Sequence, residues 1–285
     1  MITPNKVQLA AVTKFRVLHT SGCFLLPNPF DVGSAVYLNH LGFKALATSS
    51  AGFAFTRGLP DDVSAISVDL MLDHIRDIVS GTALPVNADF QNGYADAPEG
   101  VAENVKRCVA TGVAGLSIED NSGNELSPLY DDQLAVERVK AAREAIDESG
   151  VPVILTARCE AWLVGHPNPL ETALGRLKSF AEAGADCLYA PGVTDPQQIS
   201  EIVKAVSPKP VNVLVGRPDP NLSLARLTEL GVRRISVGSA FSRVAWGAFI
   251  RSAQSIIATG EFDSLAEQAS FAELNAVFRS RNRDD

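Results

Sequence analysis

An α/β fold of the (β/α)8 TIM-barrel type, with an extra C-terminal helix, is predicted by three features of the sequence. Eight short, β-branched apolar runs alternate with segments of helical periodicity. A glycine followed by an apolar residue recurs at the joints before several of these runs, at Gly42, Gly112, Gly150, Gly184 and Gly231. Three of the runs end in a charge: Asp89 closes LPVNAD, Glu119 closes GLSIE and Arg158 closes VPVILTAR. Such runs are buried strands in a parallel sheet. Charges at their carboxyl ends meet on one rim, where barrels of this type place their chemistry. Two carboxylates and a guanidinium on that rim point to a divalent metal and an anionic substrate.

The elements follow in order. A strand at 24–27 leads into a helix at 33–41, and a second strand at 45–49 ends in the small-residue turn TSSAG. No glycine-rich dinucleotide loop follows the first strand, which argues against a doubly wound open sheet. A helix at 68–79 precedes the strand at 84–89, and a helix at 100–110 precedes the strand at 115–119. The helix at 131–148 ends at Gly150 before the strand at 153–158. Helices at 169–183, 196–206 and 222–230 then alternate with strands at 187–190, 211–215 and 234–237. The glycines fall where helices should stop. Amphipathic helices at 240–258 and 263–280 close the chain. Residues 1–285 read as one barrel domain with a helical extension over 259–285. The extension, FDSLAEQASFAELNAVF, must bury its apolar face, and another subunit is the expected surface.

Composition limits the partners. The chain of 285 residues is 46% hydrophobic, enough for one large core. A formal charge of −8 without any basic stretch argues against nucleic acid and anionic membranes. No apolar run is long enough to span a bilayer, and the N-terminus shows no signal-like pattern, so a cytoplasmic location is expected. Cys23, Cys108, Cys159 and Cys187 form no CxxC pair and read as reduced core residues.

Asp89, in NADFQNGYA, can bind a hard cation such as Mg²⁺, although Asp also serves as a turn former. Of the adjacent Glu119 and Asp120, strand alternation points one to the barrel axis, and Glu119 is the expected one. A buried carboxylate there needs a metal or a basic partner. Arg158 suits a carboxylate or phosphonate, or an ion pair to Glu119 or Glu160. Ser49 and Ser50 let backbone N–H groups approach an anion. Asp61, in GLPDD, is either a supporting carboxylate or an N-cap of the next helix. His166 reads mainly as a loop histidine. HExxH, P-loop and GxSxG patterns are missing.

The segments LPNPFDVGSAVYLNHLGFKALATSSAGFAFTRGLPDD, LPVNADFQNGYADAPEGVAENVKRCVATGVAGLSIED and VPVILTARCEAW resemble the isocitrate lyase/phosphoenolpyruvate mutase superfamily over residues 22–240. The resemblance implies a (β/α)8 barrel whose terminal helix is exchanged between subunits of a homodimer or homotetramer. It implies Mg²⁺, or Mn²⁺, bound directly by Asp89, with Glu119 and Asp61 acting through metal-bound water. It places Ser49, with the backbone of Ser50 and Ala51, on the substrate carboxylate, and Arg158 on the substrate oxygens, so that Ser49 and Arg158 are the expected catalytic groups. The implied partner is a small anionic oxo- or hydroxy-acid.

Two departures matter. The segment EDNSGNELSPLYDD has neither the Cys nor the Lys of the isocitrate-cleaving loop, and Asn121 with Ser122 matches the phosphonate-processing loop only weakly. Gln91 stands where a second acidic residue is usual. Cys159 should point away from the axis and takes no catalytic part. The expected activity is a Mg²⁺-dependent lyase or decarboxylase acting on a small 2-oxo or 2-hydroxy mono- or dicarboxylic acid through a pyruvate-like enolate. A C–P bond mutase or hydrolase, and a catalytically weakened oxo-acid binder, are the alternatives.

Overall fold

The computed structural model describes residues 5–63 and 65–280. In chain order the elements are α1 (Lys6–Leu18), β1 (Phe24–Leu26), α2 (Val32–His40), β2 (Leu46–Ala47), α3 (Ser50–Thr56) and α4 (Val68–Ser80). Next come β3 (Val86–Asp89), α5 (Pro98–Val109), β4 (Gly115–Glu119), α6 (Asp132–Ser149), β5 (Ile154–Arg158) and α7 (Pro169–Glu182). The chain finishes with β6 (Cys187–Tyr189), α8 (Pro196–Val206), β7 (Val211–Leu214), α9 (Leu224–Glu229), β8 (Arg234–Ser236), α10 (Ala240–Thr259) and α11 (Phe271–Ser280). All the ladders are parallel: from β2 to β8 each strand pairs with the next in sequence, and β8 pairs with β1. The seam between β1 and β2 is bridged by the Ala47 N–H donating to the Pro27 carbonyl at 3.0 Å. This is the (β/α)8 barrel expected from the sequence.

A side chain reinforces that seam. Asn28 Nδ2 donates to the Thr48 carbonyl, and its Oδ1 accepts from the Val237 and Gly238 N–H groups. One amide therefore ties the ends of β1, β2 and β8.

Two helices go beyond the sequence reading. Helix α1 lies across the amino-terminal end of the barrel, with Val12 and Phe15 buried. Gln8 Nε2 donates to the Val109 and Val113 carbonyls, and Arg16 Nε donates to that of Pro152. Its apolar face is what closes the barrel floor. Helix α3 starts directly after the second strand, because Ser49 Oγ accepts from the Gly52 N–H and caps it.

The C-terminal region divides differently from the single helix expected at 263–280. A short 3₁₀ turn at Asp263–Leu265 precedes α11. Helix α11 lies on α2 of the same chain, where Val277 is buried and Tyr37 Oη donates to Glu273. Apolar side chains remain uncovered at Phe271 of α11 and along α10, on which only Ser242 is buried, and Val244, Phe249 and Ile257 are exposed. Among the described residues, no helix is long and apolar enough to cross a membrane. The cysteines are free, and three of the four are buried.

Candidate active site

The register of β3, β4 and β5 brings the predicted charges together. Glu119 pairs with Arg158 across the ladder, and Asp89 lies one strand further on, opposite Ser117. Side chains two residues apart on a strand share a face, so these strand ends project into the same mouth. Arg158 is the hub. Its Nη1 meets Asp89 Oδ1 at 2.7 Å, its Nη2 meets Glu119 Oε2 at 3.0 Å, and its Nε meets Glu160 Oε1 at 2.8 Å. The guanidinium also lies 5.3 Å from the Tyr189 ring centroid.

Asp120 turns the other way. It pairs with Arg176 of α7 at 2.9 Å and accepts from the Glu160 N–H, which anchors the strand end from behind. Alternation thus sends Glu119 inward and Asp120 outward, as the sequence implied. Cys159, buried beside Asp120, also faces away from the axis.

Electrostatics in the cluster favour protonation of Glu119 and Glu160. Burial pushes the Glu119 carboxyl well above its usual range; Arg158 opposes this, while Glu160, Asp89 and Asp120 add to it. Burial raises Glu160 as well, against the pull of Arg158. Around Arg158, burial favours loss of the proton, but Glu119, Glu160 and Asp89 outweigh it and hold the guanidinium charged. Asp61 sits at the cavity mouth, where crowding by protein and then the Asp89 charge raise its carboxyl. It does not cap the next helix, which Ser67 does.

The substrate-loop residues take specific places. Ser49, Ser50 and Ala51 line the cavity with Asp89 and Arg158. The Ser50 N–H and Oγ both donate to Asp89 Oδ2 at 2.9 Å, so this residue orients the carboxylate as well as lining the pocket. Thr48 Oγ1 accepts from the Asp89 N–H. Gln91 does not line the cavity. It is buried at a left-handed φ of 44°, its Oε1 has no hydrogen-bond partner among the described residues, and its carbonyl accepts from the Glu119 N–H. His166 lies apart, with Nδ1 near Asn168 N and Thr172 Oγ1.

The residues fit a hard divalent cation. The donors are all oxygen: Asp89, Glu119 and Glu160 pair with one guanidinium and Asp61 lines the same cavity, so acidic groups outnumber the base, and a cation would favour their ionised forms. Among the described residues, no three His, Cys, Asp or Glu side chains form a ready cage. A cation here would draw on few protein oxygens and retain water, which suits Mg²⁺.

Several cavity residues were not singled out from the sequence: Asn28, Asn87, Tyr189, Asn212, Arg234 and Ser236. A polar or charged residue inside a β-branched run was the available signal, and Arg234 in RRISV carried it. The loop after β4 is a small hairpin of its own, with a bridge from Asn121 to Leu129 and the Ser122 N–H donating to the Pro128 carbonyl. A groove separates it from Asp61, Asp62 and Val63.

A parallel eight-stranded barrel with an acid-rich, guanidinium-centred site at the carboxyl ends of its strands defines a class of barrel enzymes acting on small acids. The chain belongs to the phosphoenolpyruvate phosphomutase family, whose model matches residues 15–257, within the isocitrate lyase/phosphoenolpyruvate mutase superfamily. It is an enzyme of this superfamily of lyases and phosphonomutases. It is 44% identical to a candidate lyase/mutase of Burkholderia cenocepacia J2315, with a TM-score of 0.92 and coverage of 96% and 97% of the two chains. An uncharacterized protein of Mycobacterium tuberculosis (strain ATCC 25618 / H37Rv) is 33% identical over 270 residues, 92% of this chain and 95% of its own. Oxaloacetate decarboxylase of Pseudomonas entomophila (strain L48) is 31% identical over 233 residues, covering 79% and 78%.

Proposed function

We propose that the protein is a divalent-metal-dependent lyase, in its simplest form a decarboxylase, acting on a small 2-oxo or 2-hydroxy acid through a pyruvate-like enolate. The observation that carries this reading is the excess of carboxylates gathered around Arg158 at the barrel rim. Asp89 would hold Mg²⁺ or Mn²⁺ directly, with Glu119 and Asp61 acting through water. When bound, the cation supplies Lewis-acid stabilisation of the negative charge that develops on the substrate.

The chain's own residues do the positioning. Arg158 keeps Asp89, Glu119 and Glu160 in register, and its remaining N–H groups face substrate oxygens. The Ser49 cap sets the turn of the Ser49–Ala51 segment, whose small side chains let an acid approach the backbone closely. In decarboxylation the C–C bond breaks with both electrons passing into the enolate, and carbon dioxide leaves. The cleavage step needs no proton donor, and the enolate takes its proton afterwards from solvent. Cleavage of a 2-hydroxy acid would need both a base and an acid, and the 121–132 loop offers neither Cys nor Lys. The similarity to an oxaloacetate decarboxylase supports the simpler reaction.

A second copy of the chain is the partner we assign to the apolar face of α10. Exposed side chains of that size along one long helix mark an association surface.

Calorimetric titration with oxalate, a planar mimic of the enolate, tests the site. Binding is expected with Mg²⁺ and not without it, and Asp89→Ala should abolish it while circular dichroism stays unchanged. Metal-independent binding, or unchanged affinity in the Asp89→Ala variant, would overturn the assignment. Absence of binding in the wild type under both conditions would leave a barrel without this chemistry.

A further inference from the structure

Two guanidinium groups line the cavity, and they differ in charge balance. Arg158 is surrounded by three carboxylates. Arg234, the first residue of β8, is 2% exposed and has no carboxylate partner among the described residues. Its Nε donates to Asn212 Oδ1 at 2.9 Å and its Nη2 to Thr156 Oγ1 at 3.1 Å. Its Nη1 lies 3.3 Å from His19 Nε2. His19 Nδ1 is 2.8 Å from the Phe15 carbonyl, an acceptor only, so the ring proton sits on Nδ1 and Nε2 accepts from the arginine. Burial first, and the Arg234 charge second, push His19 down to about 3, so it is neutral. All three partners are uncharged, and they engage three of the five guanidinium N–H groups.

A buried cation among neutral partners is costly unless an anion joins it. Position supplies the rest of the argument. Arg234 bonds to Thr156, two residues before Arg158 on β5, so its head lies one barrel layer, about 6.6 Å, beneath the carboxylate ring. A four-carbon dicarboxylate measures roughly 6 Å between its outer oxygens, from bond lengths near 1.5 Å.

We propose that Arg234 is the floor of the substrate site and binds the second carboxylate of a four-carbon 2-oxo or 2-hydroxy dicarboxylate, whose first carboxylate and 2-oxygen lie at the ring above. The proposal deepens the reading given under Proposed function and rests on it. One uncompensated positive charge balances one carboxylate. A doubly charged phosphonate would leave surplus negative charge beneath an already acid-rich ring. Arg234 is a binding and specificity residue here, and the cation site above is independent of it.

The experiment compares ligands of different reach by calorimetry at fixed Mg²⁺, using wild type, Arg234→Gln and Arg234→Lys. Oxalate occupies only the upper layer, and 3,3-difluorooxaloacetate and phosphonopyruvate reach both layers. Oxalate affinity should stay within about threefold in the variants. Affinity for 3,3-difluorooxaloacetate should fall on the order of 100-fold in Arg234→Gln, as expected for loss of a charged bidentate partner, and recover in part in Arg234→Lys. Equal losses for oxalate and the dicarboxylate would assign Arg234 a structural role only and overturn the proposal, as would no loss for either. Tighter, Arg234-dependent binding of phosphonopyruvate would replace the dicarboxylate by a phosphonate. Failure of wild type to bind oxalate refutes the enolate site itself, a result separate from all of these.

Discussion

His74 shows how a single buried side chain sets a pH limit. It stacks on Phe53 with ring centroids 3.8 Å apart and planes 9° apart, and its Nε2 has no hydrogen-bond partner among the described residues. Burial pushes it down to about 4, against a weak opposing pull from Asp31. Below pH 6.5 the unfolded chain takes up a proton that the fold refuses, so stability falls as pH drops from 6.5 towards 4. His74→Phe should remove up to about 1.4 kcal/mol of that loss per pH unit, measured by urea unfolding at pH 7 and pH 5. An unchanged pH dependence would show that the ring is not held neutral. The rim residues Asp89, Glu119 and Arg158 were legible in the sequence, because a charge ending an apolar strand has one place to go. Ser50 was legible as a lining residue but not as the donor that orients Asp89, since that depends on a contact 39 residues away. Arg234 lacks the strand-end signal, because it begins its strand rather than ending it.

At the level of elements, α1 and β4 are fitted to each other. A Cβ added at Gly115 would lie 2.7 Å from Phe15 Cε1 and 2.8 Å from Asn87 Oδ1. Gly115→Ala should therefore cost about 1–3 kcal/mol in chemical denaturation, the range for overpacking a tight core. Phe15→Leu in the same chain should return part of that loss, because it removes the clashing ring edge. Additive losses in the double variant would disprove the fit. The strand and helix order was readable throughout, since eight apolar runs with helical intervals admit few topologies. Helix α1 was not read, because its single buried stripe acquires meaning only when the barrel floor is present to receive it. Helix α3 was missed for a different reason. Its seven residues are too few for periodicity to register, and only the Ser49 cap announces it.

For the whole molecule, the barrel closes on its own core but leaves α10 largely bare. Val244 and Phe249 are 69% and 62% exposed. Light scattering should find a dimer or tetramer, and Val244→Glu with Phe249→Glu should lower its mass towards the monomer while leaving circular dichroism unchanged. A monomeric wild type would refute the assignment of a second copy to this face. The sequence places an association helix at 263–280, and the exposed side chains of α10 add a second apolar face beside it, one that depends on which helices find a seat in the folded chain. Asn28 bears on the molecule as a whole in another way. Seven of the eight joints around the barrel are ladders of backbone bonds, and a ladder shifts only in whole steps. Among the described residues the eighth has a single backbone bond, the Ala47 N–H to the Pro27 carbonyl, and the Asn28 amide beside the Thr48–Ala51 turn. The joint with the fewest backbone bonds therefore runs through the wall of the cavity that Arg158 and Asp89 line.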